Sequence, residues 1–198
     1  MPDYEAYSRE IANLNQKYGN RIKKGIEIGY YQPREADILA YLADKDYDLK
    51  LLSVHHNGTN DYLDDEVADM DKDTIIQEYL DKLEYAIGRV EADILAHFDY
   101  GFRIFDLTVD DLKAYEPQLK CIFQKMIDYD LAFELNSKSM YLYGKEPIYR
   151  YALGLVKELG CHKYSIGSDG HKLEHFRLAF DKIQDLLDEF GIEDWEIL

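Results

Sequence analysis

Short β-rich runs alternate with longer stretches of helical apolar spacing along nearly the whole chain, and nothing else in the sequence limits the fold as tightly. The β-rich runs cover 22–30, 49–55, 92–97, 131–136 and 164–168. Between them, Ile76, Tyr79, Leu80, Leu83, Ile87 and Val90 line one apolar stripe with charges opposite. Phe176, Ala179, Phe180, Ile183, Leu187 and Phe190 form another, closed by Gly191 at a helix C-terminus. Residues 2–18 read as a further helix, with Tyr7, Ile11, Leu14 and Tyr18 on one face. Pro33 and Pro147 suit first helical turns, and Thr108 with Asp111 forms a capping pair. Pro117 divides the segment after Asp110 into a short turn and a longer helix.

Strand–helix repetition with short connections gives parallel strands joined by right-handed crossovers. A doubly wound sheet and a barrel both satisfy that order. No glycine-rich phosphate loop follows any strand, which weighs against a nucleotide-binding doubly wound sheet. The chain carries no repeat, linker or low-complexity segment, so a single domain over 1–198 is expected.

Charge narrows the partners. Acidic residues outnumber basic ones 40 to 23, a formal net charge of −17. Such a surface repels nucleic-acid backbones and anionic membranes, and it accepts an anionic substrate only where metal ions or local arginines reverse the field. Cys121 and Cys161 lack metal-ligand spacing and read as buried free thiols in a reducing compartment. No apolar run approaches membrane-spanning length, and Met1 leads into polar sequence without a signal peptide. A cytoplasmic protein is the expectation.

The polar residues fall in a telling place. Each β-rich run carries, at or just beyond its end, a residue fit for metal or phosphate chemistry: Glu27, His55, His97, Asn136, and Asp169 with His171. In parallel barrels the C-terminal strand ends converge on one face, where active sites are built. Imidazole and carboxylate together suit a divalent transition ion such as Zn, Mn or Fe. Taken singly, each residue has a plainer explanation: a strand-end histidine is more often a hydrogen-bonded loop residue, Glu27 could be a salt-bridge partner, and Asp169 a helix cap. Three of the six histidines in matching places, with two carboxylates, make coincidence the weaker account. His56 points away from His55 on an extended backbone, His162 precedes a strand, and His175 lies within a helical stretch, so these three read as structural or surface residues.

At these positions the sequence resembles the PHP (polymerase and histidinol phosphatase) family, and within it the histidinol-phosphatase branch. The resemblance rests on Lys24-Gly25-Ile26-Glu27-Ile28-Gly29-Tyr30, Ser53-Val54-His55, Leu95-Ala96-His97-Phe98-Asp99-Tyr100, Glu134-Leu135-Asn136-Ser137 and Ile166-Gly167-Ser168-Asp169-Gly170-His171, in the family's order. It implies a distorted α/β barrel with outer helices, carrying up to three metal ions. Glu27 resembles the carboxylate bridging two of them, His55 and His97 ligands of one of that pair, Asp169 a ligand of the other, and His171 a ligand of the third. On the same resemblance Glu27, His55, His97 and Asp169 form the catalytic set, and Arg103 and Asn136 contact substrate. The activity implied is metal-dependent hydrolysis of a phosphomonoester, L-histidinol phosphate, by a metal-activated water attacking phosphorus in line.

One departure is large. The family opens with a strand carrying His-x-His, whereas no histidine precedes Glu27 here. The expectation is therefore an incomplete barrel of about five to six parallel strands, against roughly 250 residues for a complete eightfold barrel. Glu27, His55 and His97 would then hold one ion tightly, while the other positions keep too few ligands. The alternative is a non-catalytic or split remnant that needs an N-terminal fragment. The open edge is expected to be met by such a fragment in trans or by self-association.

Overall fold

A computed structural model describes residues 2–198. Helix α1 (Tyr4–Tyr18) is capped by the Asp3 carboxylate, which accepts from Ala6 N, and ends at Gly19 in the left-handed region. There follow β1 (Gly25–Gly29), α2 (Glu35–Leu42), β2 (Leu49–Ser53), α3 (Asp65–Ala68), α4 (Lys72–Ala86) and β3 (Ile94–Leu95). The chain continues through α5 (Val109–Lys113), α6 (Glu116–Asp128), β4 (Ala132–Asn136), α7 (Glu146–Glu158), β5 (Tyr164–Gly167) and α8 (Phe180–Phe190). The strands form one sheet in the order β1-β2-β3-β4-β5, every neighbouring pair parallel. A doubly wound sheet reverses its strand order at a switch point, and this sheet never does. Strands laid down one after another, with crossovers of one hand, put the helices on a single side and leave the other face to be enclosed by curling of the sheet.

The core lies between sheet and helices. Helix α4 buries Ile75, Ile76, Tyr79, Leu80, Leu83 and Ala86, and α7 buries Ile148, Tyr149, Ala152, Leu153, Leu155 and Val156. Phe98 packs against Tyr149 at 5.0 Å, Phe133 at 5.6 Å and Phe123 at 5.7 Å between ring centroids, the range of favourable aromatic pairs. This cluster lies directly under the loop that follows β3 and fixes the position of His97 and Asp99.

The local signals act largely as read. Pro33 and Pro147 occupy first-turn positions, Thr108 and Asp111 complete a capping box, and Pro117 starts α6 after the short α5. Five expectations need correction. Helix α8 begins at Phe180, four residues after the start of its apparent stripe, and Phe176 is 74% exposed in the turn before it. That turn bends through Arg177 and Ala179, both at positive φ, which no apolar periodicity reveals. His175 closes a 3-10 turn, and Cys121 is exposed because α6 turns that face to solvent. Helix α1 buries no residue, and Tyr18 is 51% exposed at its far end. Glu27 sits in the middle of β1, opposite Leu51, and does not end the strand.

Candidate metal centre

Side chains alternate across a strand, so Gly25, Glu27 and Gly29 share one face of β1 and Ile26 and Ile28 the other. Glycine on either side of Glu27 leaves the space a neighbouring ring needs: a Cβ on Gly29 would lie 3.3 Å from His55 Nδ1. His55 stands two residues beyond β2, and His97 two residues beyond β3. Both turn inward. His55 Nε2 and His97 Nε2 each lie 3.0 Å from the same oxygen, Glu27 Oε1, and 3.5 Å from one another. Tyr100 closes the group from the side, its ring 4.4 Å from that of His55 and 5.1 Å from that of His97.

Among the described residues these three are the set of histidine, cysteine and carboxylate donors that meets within 4.8 Å. Donors held at ~2.1 Å from one tetrahedral ion would be about 3.4 Å apart, so the observed spacing fits a single divalent ion with at least one open position. The electrostatics agree. Burial alone would raise the Glu27 carboxyl, but hydrogen bonds and charge from His55 and His97 outweigh it and hold the group far below the usual carboxylate range. Burial opposes protonation of His97, yet Glu27 and the buried charge of Glu134 raise it above the ordinary imidazole value.

Glu134 itself went unread in the sequence. It is 5% exposed, in the middle of β4, and its Oε2 accepts from His97 N at 2.6 Å and from Asn136 Nδ2 at 3.1 Å. Burial pushes its carboxyl up, with the nearby His97 pulling the other way. The signal was present: a carboxylate flanked by Phe133 and Leu135 in a strand buried on both faces must have a partner. Asn136, expected to touch substrate, is fully buried; its Nδ2 donates to Glu134 and its Oδ1 accepts from Ser139 N. With both ends of the amide engaged, Asn136 shapes the turn after β4.

A second polar group adjoins the first. Arg103, expected to contact substrate phosphate, has a side chain 1% exposed and lies 3.2 Å from Asp99 Oδ2. Asp99 also accepts from Tyr149 at 2.8 Å and Ser139 at 3.0 Å, and is held below its usual range, burial notwithstanding, mainly by the Arg103 charge. Arg103 Nη1 reaches to 3.8 Å from Asp169 Oδ2, and its guanidinium lies 5.0 Å from the Tyr100 ring centroid. Asp169 and His171 thus border the rim but lie outside the three-donor set; His171 is 73% exposed at its side chain. Lys138, unmarked by any motif, projects between them from the turn after β4.

No protein-family model matches the chain. A probable histidinol-phosphatase of Thermotoga maritima is 24% identical over 172 residues, covering 87% of this chain and 66% of that protein. Over that stretch the chain is similar in sequence to this probable histidinol-phosphatase. A crystal structure of histidinol phosphate phosphatase from Lactococcus lactis, complexed with zinc, L-histidinol and phosphate, superposes with a TM-score of 0.83 over 98% of this chain and 76% of that one, at 21% identity. The fold is therefore the incomplete α/β barrel that the strand–helix order leads one to expect, with five parallel strands. Among the described residues, no helix is long and apolar enough to cross a membrane. The chain spans just under two thirds of the length of the Thermotoga protein it matches.

Proposed function

We propose that the chain is a metal-dependent phosphomonoesterase acting on L-histidinol phosphate, a single-domain enzyme of the cytoplasm. One observation carries the reading: Glu27 Oε1, His55 Nε2 and His97 Nε2 converge beside the buried cation of Arg103. A divalent ion held there supplies Lewis-acid activation of water and neutralises charge on the phosphoryl group. The chain's own residues do the rest. Glu27 remains ionised and available as a ligand, and Glu134 fixes the His97 backbone so that its ring faces inward. Arg103 and Lys138 bring positive charge to a rim on a molecule of net charge −17, which an anionic substrate requires. The Tyr100 ring shields the two imidazoles from water on one side.

The test is phosphate release from L-histidinol phosphate by protein loaded with zinc or manganese, with and without chelator. Release that stops on chelation and returns with metal is expected. Chelator-insensitive turnover would overturn the proposal.

A second reading is favoured by the outer edge of β1. Among the described residues no strand pairs with that edge, and a groove of about 330 Å³ runs along it, lined by Ile26, Glu27, Ile28, Ile38 and Leu42. Under this reading a further strand, from a second copy or a separate polypeptide, completes the sheet beside Glu27 and raises the activity.

A further inference from the structure

We propose that the Lys138 ammonium fills the cation position outlined by Asp169 and His171, so that the chain binds a single metal ion, at Glu27, His55 and His97. Lys138 leads a π-helical turn, Lys138–Leu142, directly after β4, where Tyr143 N donates to Lys138 O. Such turns recur where a side chain must be re-aimed at a functional site. The side chain is 11% exposed, and its Nζ lies 3.2 Å from each of three atoms, Asp169 Oδ2, Asp169 O and His171 Nδ1, the last of which also stands 3.1 Å from Asp169 O.

An ammonium has three N–H donors and no acceptor, so the two Asp169 oxygens take two of them and His171 Nδ1, in the tautomer with its proton on Nε2, takes the third. A carboxylate oxygen, a carbonyl oxygen and an imidazole nitrogen are also donors that a divalent ion would take. Asp169 is at φ +44°, a region that non-glycine residues seldom occupy, and this backbone aims both its carbonyl and its carboxylate at the same point. Asp169 Oδ2 further meets Arg103 Nη1 at 3.8 Å. The single carboxylate is thus already shared between two cations. A dication entering there would confront both without any additional anion, and Lys138 would have to leave. Lys138 therefore supplies, as fixed charge, part of what a second metal ion would otherwise bring to an anionic phosphate.

The inference rests on the phosphatase reading only for the purpose of that charge; the metal count is independent of turnover. Stripped protein reloaded with zinc and dialysed is assayed by elemental analysis. Expected are one equivalent for the wild type, two for Lys138→Met, and one again for Lys138→Met/His171→Ala. Lys138→Arg and Asp169→Asn should each leave the count at one. Two equivalents in the wild type, a fall in the count of Asp169→Asn, or a Lys138→Met protein no different from wild type would overturn the proposal. Should Lys138→Met fail to fold, the wild-type and Asp169→Asn counts decide. Zero equivalents in the wild type with one in Lys138→Met would uphold the role of Lys138 and refute the three-donor centre instead.

Discussion

Glu27 Oε1 receives two imidazole nitrogens at 3.0 Å, so removing either ring leaves a carboxylate and a single histidine. His55→Ala and His97→Ala are expected to abolish tight zinc binding, whereas His171→Ala, whose ring is 73% exposed, should leave it within about twofold. Isothermal titration with zinc measures each; retention of tight binding in His97→Ala would refute the ligand assignment. The same group sets a pH dependence. His97 is raised above 6.5, so metal must displace a proton over a wider range than usual. Affinity should climb about tenfold per pH unit up to the His97 value and level off above it. In metal-free protein the sign is opposite at that limb: stabilisation from His97 is full below 6.5 and lost as pH rises through its folded value. Glu27, depressed from 4.5, contributes above that value and loses its contribution only as pH falls through its folded value. Thermal melts of stripped protein should therefore peak in mildly acidic solution. Glu27, His55 and His97 were legible because two histidines just past their strands and a carboxylate between two glycines of a third strand have few structural uses in common. Lys138 was not, because a lysine after Asn136-Ser137 resembles any solvated turn residue until the π-helical geometry is known.

Strand β3 is two residues long because its next free backbone donor, His97 N, goes to the Glu134 side chain in place of a strand neighbour. The element that carries a ligand is thus terminated by the residue that orients it, a coupling between β3 and β4 that periodicity cannot express. Strand order, by contrast, follows from the alternation alone, since short connections and one crossover hand leave little choice. The Glu134 side chain depends in turn on β5. A Cβ on Gly167 would lie 2.0 Å from Glu134 Oε1 and 2.8 Å from its carboxyl carbon. Glu134 is buried and cannot swing aside freely, so Gly167→Ala should cost about 1–3 kcal/mol through overpacking. That corresponds to roughly 2–4 °C in melting temperature for each kcal/mol in a domain of this size. Displacement of Glu134 should also free His97 N and weaken zinc binding by about 10–100-fold, the usual penalty for losing a supporting contact. A Gly167→Ala protein with unchanged melting and unchanged zinc affinity would show that Glu134 does not support His97.

For the whole molecule, the sheet ends unequally. Beyond β5, Tyr164 bridges to Ile197 in parallel, so that edge is partly covered. Beyond β1, the backbone borders a largely apolar groove of about 330 Å³ lined by β1 and α2, to which α1 contributes no residue. An unpaired edge beside apolar surface favours strand addition. The net charge of −17 opposes it between identical copies, because two such surfaces repel. These terms respond differently to salt: repulsion is screened beyond about 10 Å at 0.1 M ionic strength, while apolar contact is not weakened. Self-association is therefore expected to be slight in dilute buffer and to grow as sodium chloride is raised, measured by sedimentation velocity at fixed protein concentration. Ile26→Lys places a charge at the edge of β1, the common natural means of blocking strand addition, and should keep the protein monomeric at every salt concentration. Since Ile26 lies on the face opposite Glu27, its zinc count should be unchanged. A wild-type chain that sediments as one monomeric species from dilute buffer to molar salt would exclude β1 as a docking edge for a second copy, and would leave a separate strand-forming polypeptide as the partner to be tested by the same titration.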